Sequence, residues 1–439
     1  MSEDFDFTIP TLGQPKITSD LRVNRFHTDD ERILYDISIE NCRRCKGEGR
    51  EPASMEVAGP REHIYFDPSK TRAAIVTCGG LCPGMNDVIR GLVMELTYRY
   101  GVRTVLGVRY GYQGLIPKYG HETIPLTPEA VTSIHSEGGS ILSSSRGEQD
   151  TGEIVDALER MNVSILFAIG GDGTMRGAQD IFQEIKTRGL KISVVGIPKT
   201  IDNDLCFIEK SFGFETAFSK ACEAIQSANT EALGAPNGIG LVKLMGRHSG
   251  YIAANAAIAV GDVNIVLIPE VPFELDGERG LLAYLKKRLE TRKHAVILVA
   301  EGAGQDEILK IRGEKNVERD ASGNVRLLDV GLFLKEQINN YFKSIGMEIN
   351  LKYIDPSYII RSVPAIPADS IYCAQLAHNA VHAAMAGKTG LVVGSWNNTF
   401  IHVPISMVIR RRNTIQPDSQ LWLDVLETTG QPRSFTNQD

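Results

Sequence analysis

Four short segments of this chain set chemically capable side chains among glycines or beside one another. In Pro198-Lys199-Thr200-Ile201-Asp202-Asn203-Asp204, two carboxylates stand two residues apart next to a lysine. That pattern suits a general base with a partner that orients it or tunes its pKa, although an Asx-type turn accounts for the same residues. In Gly170-Gly171-Asp172-Gly173-Thr174 an acid sits between glycines. Such a carboxylate can hold Mg²⁺ while the bare backbone beside it leaves room for phosphate oxygens, and packing gains little from an Asp in that setting. The run Cys78-Gly79-Gly80-Leu81-Cys82-Pro83-Gly84-Met85-Asn86 lets backbone amides approach a polyphosphate. A tight turn without a ligand fits it too, and it is not the spaced fingerprint G-x-G-x-x-G. Met245-Gly246-Arg247-His248-Ser249-Gly250 offers a cation for a transferring phosphoryl group, with a surface ion pair as the plain alternative. His248 has no neighbour that marks it as a base.

Each segment follows a short β-branched or apolar run. Ala73–Thr77, Ile165–Ile169, Ser193–Ile197, Gly240–Leu244, Ile265–Ile268, Ala295–Ala300 and Gly390–Gly394 have the character of buried strands. Between them Met85–Tyr98, Thr174–Thr187, Glu215–Ala228, Glu278–Arg292 and Gly331–Phe342 have helical length and pattern. Sustained strand–helix alternation predicts an α/β fold with mostly parallel sheets, helices on both faces and ligand sites at the carboxyl ends of strands. Residues 1–70 lack a sustained apolar period and are expected to be an extension that wraps the body or a neighbouring subunit. The charged stretch Gly302–Gly323 has the composition of a surface excursion.

Composition narrows the partners. At 439 residues the chain is too long for one core, so two domains are expected. A net charge of −7 argues against a nucleic-acid or anionic-membrane partner, so any phosphate must be met by locally placed cations and amides. The acidic N-terminus is unlike a targeting peptide, and no apolar run approaches a membrane span, which points to the cytoplasm. Seven scattered cysteines do not form a disulfide framework; Cys42 and Cys45 have zinc spacing, but Cys78 and Cys82 belong to the glycine-rich loop.

Taken together, the ordered motifs resemble the phosphofructokinase family from about Arg72 to Pro404. The resemblance is carried by GGLCPGMN, GGSILSSSRG at Gly138–Gly147, GGDGT, PKTIDND, MGRHSG, AEGAGQ at Ala300–Gln305 and INLKYIDPSYIIR ending at Arg361. It implies two Rossmann-like three-layer domains with the active site in the cleft between them. The expected organisation is an extension over 1–70, a nucleotide-binding domain over 71–213 completed by part of 362–395, a sugar-phosphate domain over 214–361, and a C-terminal segment over 396–439. It further implies transfer of a phosphoryl group from Mg·ATP to the 1-hydroxyl of fructose 6-phosphate, with Mg²⁺ as cofactor and a homo-oligomer, tetramer or dimer, as the assembly.

Residue by residue, the resemblance makes Asp202 the general base, with Thr200, Ile201 and Asp204 beside it at the reacting centre. It assigns Asp172 to Mg²⁺, and Gly80, Gly171, Gly173, Thr174 and Lys199 to the nucleotide. Arg146 with Gly147 is expected to reach the ATP phosphates, and Arg247 the transferring group. Met245, Gly246 and Glu301 are expected to touch the sugar, and Tyr358 with Arg361 its 6-phosphate. In pyrophosphate-using members the residue after GGD resembles Asp, which would repel an α-phosphate; here it is Gly173, whereas Lys199 resembles the pyrophosphate branch. The pattern is similar to the plant and trypanosomatid branch that uses ATP. Where short bacterial members carry an Arg that reaches into the neighbouring subunit's site, this chain has Gly238, so Lys243 or Lys352 is expected to oppose the sugar phosphate.

Overall fold

A computed structural model describes residues 5–312 and 327–437, and the chain divides into two compact units. The first contains Met1–Thr200, Leu205–Gly213 and Ser362–Arg412; the second contains Ile201–Asp204, Phe214–Arg361 and Asn413–Asp439. The C-terminal residues are therefore shared out, 396–412 with the first unit and 413–439 with the second.

The first unit is built on nine strands in the order Arg32–Leu34, Ser54–Val57, Thr399–Pro404, Leu391–Trp396, Ser193–Pro198, Ile165–Gly170, Arg72–Thr77, Thr104–Val108 and Thr123–Pro125. The five from Leu391–Trp396 to Thr104–Val108 run parallel, and the flanking strands are antiparallel. Ile165–Gly170 and Ser193–Pro198 are buried along their whole length. Such continuous apolar runs fit strands covered on both faces, as connecting helices require. Residues 1–70 do more than wrap the surface, because Arg32–Leu34 and Ser54–Val57 extend the sheet itself.

The second unit has four parallel strands in the order Ile265–Leu267, His294–Ala300, Gly238–Leu244 and Asn350–Ile354. Leu281–Arg292 packs Leu281, Leu285 and Leu289 against one face of this sheet, and Val330–Ser344 adds Phe333, Leu334, Ile338 and Phe342. Both helices show the three- and four-residue apolar spacing that buries one stripe. Of the charged stretch Gly302–Gly323, the helix Gln305–Arg312 takes the beginning, and residues 313–326 lie outside the described residues. All seven cysteines are free, and among the described residues no helix is long and apolar enough to cross a membrane.

Candidate active site

In the first unit, three loops after parallel strands are laced together. The strand Arg72–Thr77 ends where the Cys78 amide donates to the Ile169 carbonyl at 3.0 Å and the Gly79 amide to the Ser145 carbonyl at 3.0 Å. The Ser144 hydroxyl donates to the Gly79 carbonyl at 2.6 Å, tying the SSSRG loop to the glycine-rich one. Gly84 precedes the helix Met85–Met94 at φ +94°, and a Cβ there would lie 2.6 Å from the Cys373 Sγ, so only glycine fits. Arg146 and Gly147, on the SSSRG loop, are exposed. Lys199 is buried and donates from Nζ to the Gly80 carbonyl at 2.6 Å. That places a cation beside the loop.

The GGDGT segment opens the helix Asp172–Thr187, capped by Gly171 without any side-chain hydrogen bond, so its first amides point outward with the positive end of the helix dipole. Thr174 is buried against Gly170, and its carbonyl accepts the Tyr112 hydroxyl at 2.9 Å. The Asp172 carboxylate meets Arg176 at 3.2 Å and Arg412 at 3.4 Å. Gly173, like Gly170 and Gly171, has a φ outside the left-handed region, but unlike them it would place a Cβ that meets nothing within 4 Å. The fold of the chain gives no reason for a glycine at that position.

In the second unit, Ile201–Asp204 faces the loop after the strand Gly238–Leu244. The backbone amide of Arg247 donates to the Asp202 carboxylate, and the Ser249 hydroxyl donates to the Asp202 carbonyl at 2.7 Å. Burial pushes the Asp202 pKa up to about 7, with the negative charges of Asp204 and Glu301 adding to it and the amide and charge of Arg247 opposing it. Asn203, between the two acids, adopts φ +52°, a conformation Asn tolerates better than most residues. Asp204 is buried, and its carbonyl accepts the Asn413 amide at 2.9 Å.

Gly246 stands at φ +130°, where a Cβ would be 2.5 Å from the Ser249 carbonyl oxygen. Its own carbonyl accepts the Gly302 amide at 3.1 Å, and the Leu244 carbonyl accepts the Glu301 amide at 2.9 Å, so MGRHSG and AEGAGQ form one surface that includes Met245. Burial raises the Glu301 pKa, and the positive charges of Arg247, Lys243 and Arg361 pull it back.

The remaining expected residues are placed as follows. Lys243 is held by Asp329 at 2.9 Å and Asp355 at 2.8 Å, so two carboxylates already answer its charge. Lys352 is exposed on the neighbouring strand Asn350–Ile354. Arg361 lies with its guanidinium 5.0 Å from the centre of the exposed Tyr358 ring, a cation–π pair. Gly238 admits no side chain at all, since a Cβ would sit 2.1 Å from the Ala232 carbonyl oxygen.

The sequence motifs did not point to Ser249, Glu270, Asp329, Asp355 or Asn413 as contributors. Ser249 and Asp355 alone offered a signal, because they lie inside the MGRHSG and YIDPSY stretches. Among the described residues no group of His, Cys, Asp or Glu side chains forms a metal cage.

Comparison with known proteins bears on these two sets of loops. The family model described as Phosphofructokinase matches residues 72–384. The chain is 49% identical over 447 residues to the ATP-dependent 6-phosphofructokinase of Borreliella burgdorferi, covering 99% of each protein. It is 50% identical over 410 residues to the enzyme of the same name from Amycolatopsis methanolica, covering 93% of this chain and 89% of that one. Among solved structures, a pyrophosphate-dependent phosphofructokinase from Marinobacter aquaeolei matches with a TM-score of 0.66 at 20% identity, covering 84% of this chain and 94% of that one. That last likeness speaks for the fold.

Proposed function

The chain belongs to the phosphofructokinase family, and on that premise we propose that it transfers the γ-phosphate of ATP to the 1-hydroxyl of fructose 6-phosphate, giving fructose 1,6-bisphosphate and ADP, a glycolytic step. The observation that carries the choice of donor is Gly173. A glycine whose missing side chain leaves open space, in a backbone conformation any residue adopts, serves something outside the chain. Beside a helix N-terminus that something is the α-phosphate of a nucleotide, and a carboxylate at the same place would exclude it.

Phosphoryl transfer asks the protein for position and charge more than for covalent work. The amides at Gly171–Gly173 and the loop Gly79–Gly84 cradle the donor's phosphates, with Gly80, Thr174 and Lys199 beside them and Arg146 and Gly147 at the exposed edge. Asp202 accepts the proton of the sugar 1-hydroxyl as its oxygen attacks, a contribution on the order of 10²–10⁴ in rate. Arg247 offsets charge on the moving phosphoryl group. Thr200, Ile201, Asp204, Met245, Gly246 and Glu301 shape the sugar side, and Arg361 with Tyr358 holds the 6-phosphate.

Because Lys243 is committed to Asp329 and Asp355, we assign it to holding those two carboxylates in place and leave Lys352 as the second cation toward the sugar phosphate. Asp172 fits Mg²⁺ that arrives with the nucleotide, since Mg²⁺ takes most of its ligands from water and phosphates and needs only one or two carboxylates. Bound there, the ion would neutralise charge on the donor's phosphate oxygens. The protein is further proposed to be a cytoplasmic homo-oligomer, dimer or tetramer.

The test is a coupled assay with fructose 6-phosphate that offers ATP or pyrophosphate separately to one purified preparation. Turnover with ATP supports the proposal, and turnover with pyrophosphate alone overturns the donor.

A further inference from the structure

Glu270 lies just past the strand Ile265–Leu267, in neither of the loops that carry Asp202 and Arg247. Its Oε1 accepts two backbone amides at once, from Gly250 at 3.0 Å and from Ile415 at 2.9 Å. Gly250 ends the MGRHSG loop and caps the helix Tyr251–Val260. A Cβ on Gly250 would be 2.3 Å from the Ile268 Cγ2 and 3.2 Å from the Glu270 Oε2, so the bare glycine lets the carboxylate close on its amide. Ile415 is buried and stands two residues beyond Asn413, whose amide binds the Asp204 carbonyl.

These bonds close a circuit. From Asp202 it runs through the Ser249 hydroxyl to Gly250, through Glu270 to Ile415, and through the Asn413 amide back to Asp204. Glu270 joins the Arg247 loop to the C-terminal stretch that holds the Asp202–Asp204 segment. It does so at a cost: Oε2 is buried without a hydrogen-bond partner among the described residues, and burial raises the pKa of the carboxyl. An acid kept buried with half of its acceptor capacity unused weakens the fold unless its position matters.

We propose that Glu270 is a positioning residue for phosphoryl transfer, holding the Arg247 amide and the Asp202 carboxylate in register by clamping Gly250 and Ile415 to one oxygen. The proposal rests on Asp202 acting as the base. In Glu270→Ala the circuit opens and the Arg247 amide drifts from Asp202; kcat falls on the order of tenfold to a hundredfold, as a small misplacement of reacting groups does. The KM for ATP stays within about twofold, because the donor's loops are untouched. Loss of the amide also raises the Asp202 pKa, so the acid limb of the kcat–pH profile moves to higher pH. Glu270→Gln keeps a carbonyl oxygen for both amides and restores kcat and the limb to near the wild-type values.

Full-length wild type, Glu270→Ala and Glu270→Gln are compared with ATP and fructose 6-phosphate from pH 5.5 to 9, a window about Asp202's raised pKa of about 7. If the Ala variant does not fold, Glu270→Asp, too short to reach both amides, replaces it and is judged by the same readouts. A competent wild type beside an indifferent short-chain variant, or beside a Gln variant that is no better than that variant, overturns the inference alone. A wild type that leaves fructose 6-phosphate untouched overturns the reaction and the inference together.

Discussion

The amide of Arg247 donates to the carboxylate of Asp202, so the residue proposed to meet the phosphoryl group with its side chain also helps set, through its backbone, the basicity of the proposed proton acceptor. Two opposing influences meet at this one carboxylate. Burial and the charges of Asp204 and Glu301 hold its proton on, while Arg247 draws it off.

Activity is therefore expected to depend on pH in a defined direction. Asp202 must be ionised to accept a proton, so kcat rises as pH increases through about 7. Removing a neighbouring negative charge makes that ionisation easier, and Asp204→Asn moves the rise to lower pH. Steady-state rates across the range measure both effects, and an Asp204→Asn profile displaced to higher pH contradicts the assignment.

Asp202→Ser removes the proposed base while leaving the proposed donor loops alone. Its kcat falls on the order of a thousandfold, and the dissociation constant for ATP, read by calorimetry, changes little. Turnover near the wild-type rate would take Asp202 out of its role.

Gly173→Asp is expected to fold normally, because a Cβ there meets no atom within 4 Å. The added carboxylate faces the α-phosphate, and the KM for ATP rises on the order of tenfold or more, about 1.4 kcal/mol. A melting temperature equal to the wild type's together with an unchanged KM would show that the open space is not the nucleotide's.

Arg361→Ala deletes the charge-assisted contact proposed for the sugar phosphate, worth roughly 1.5–3 kcal/mol. The KM for fructose 6-phosphate rises roughly tenfold to a hundredfold while that for ATP holds. Equal rises for both substrates would point to a general loosening instead.

In the first unit, Glu56 joins Arg61 at 2.9 Å, Lys388 at 2.8 Å and His402 Nδ1 at 2.8 Å, with every one of these side chains buried. Burial works to raise the Glu56 pKa, but the hydrogen bond and charge of His402 and the charge of Lys388 win and hold it at about 2. Burial lowers the His402 pKa, against the pull of Glu56. Both folded-state values lie below the unfolded ones, so both groups lend stability above their unfolded pKa and lose it as pH falls. The melting temperature is expected to drop first below about 6.5, as His402 is driven to charge, and again below about 4.5, as Glu56 is protonated. Glu56→Gln should flatten the lower step.

Seven of the nine described parallel strands were legible as short apolar runs, whereas Thr104–Val108 and Asn350–Ile354 were not, since each is only partly buried; the motifs that follow several of these strands marked the candidate loops. The helix Pro367–Met385 was not legible either, because its buried stripe of Tyr372, Cys373, Leu376, Ala377, Ala380, Val381 and Ala384 is made largely of small residues that contrast little with the rest of the helix. The partners of Lys243 escaped for another reason: Asp329 lies 86 residues away, and only the folded sheet brings it near. The hydrogen bonds around Asp202 run largely through backbone amides and carbonyls, which no side-chain pattern encodes.

The strand Ser54–Val57 pairs with Thr399–Pro404, matching Ile401 to Val57 and His402 to Glu56. Residues near the start of the chain thus wait for residues near its end before this side of the sheet can form, a long-range closure that slows folding. Until then Thr399–Pro404 presents unpaired amides and carbonyls, the kind of open border along which separate molecules join. The strands Ser54–Val57 and Arg32–Leu34 close that border with the chain's own backbone.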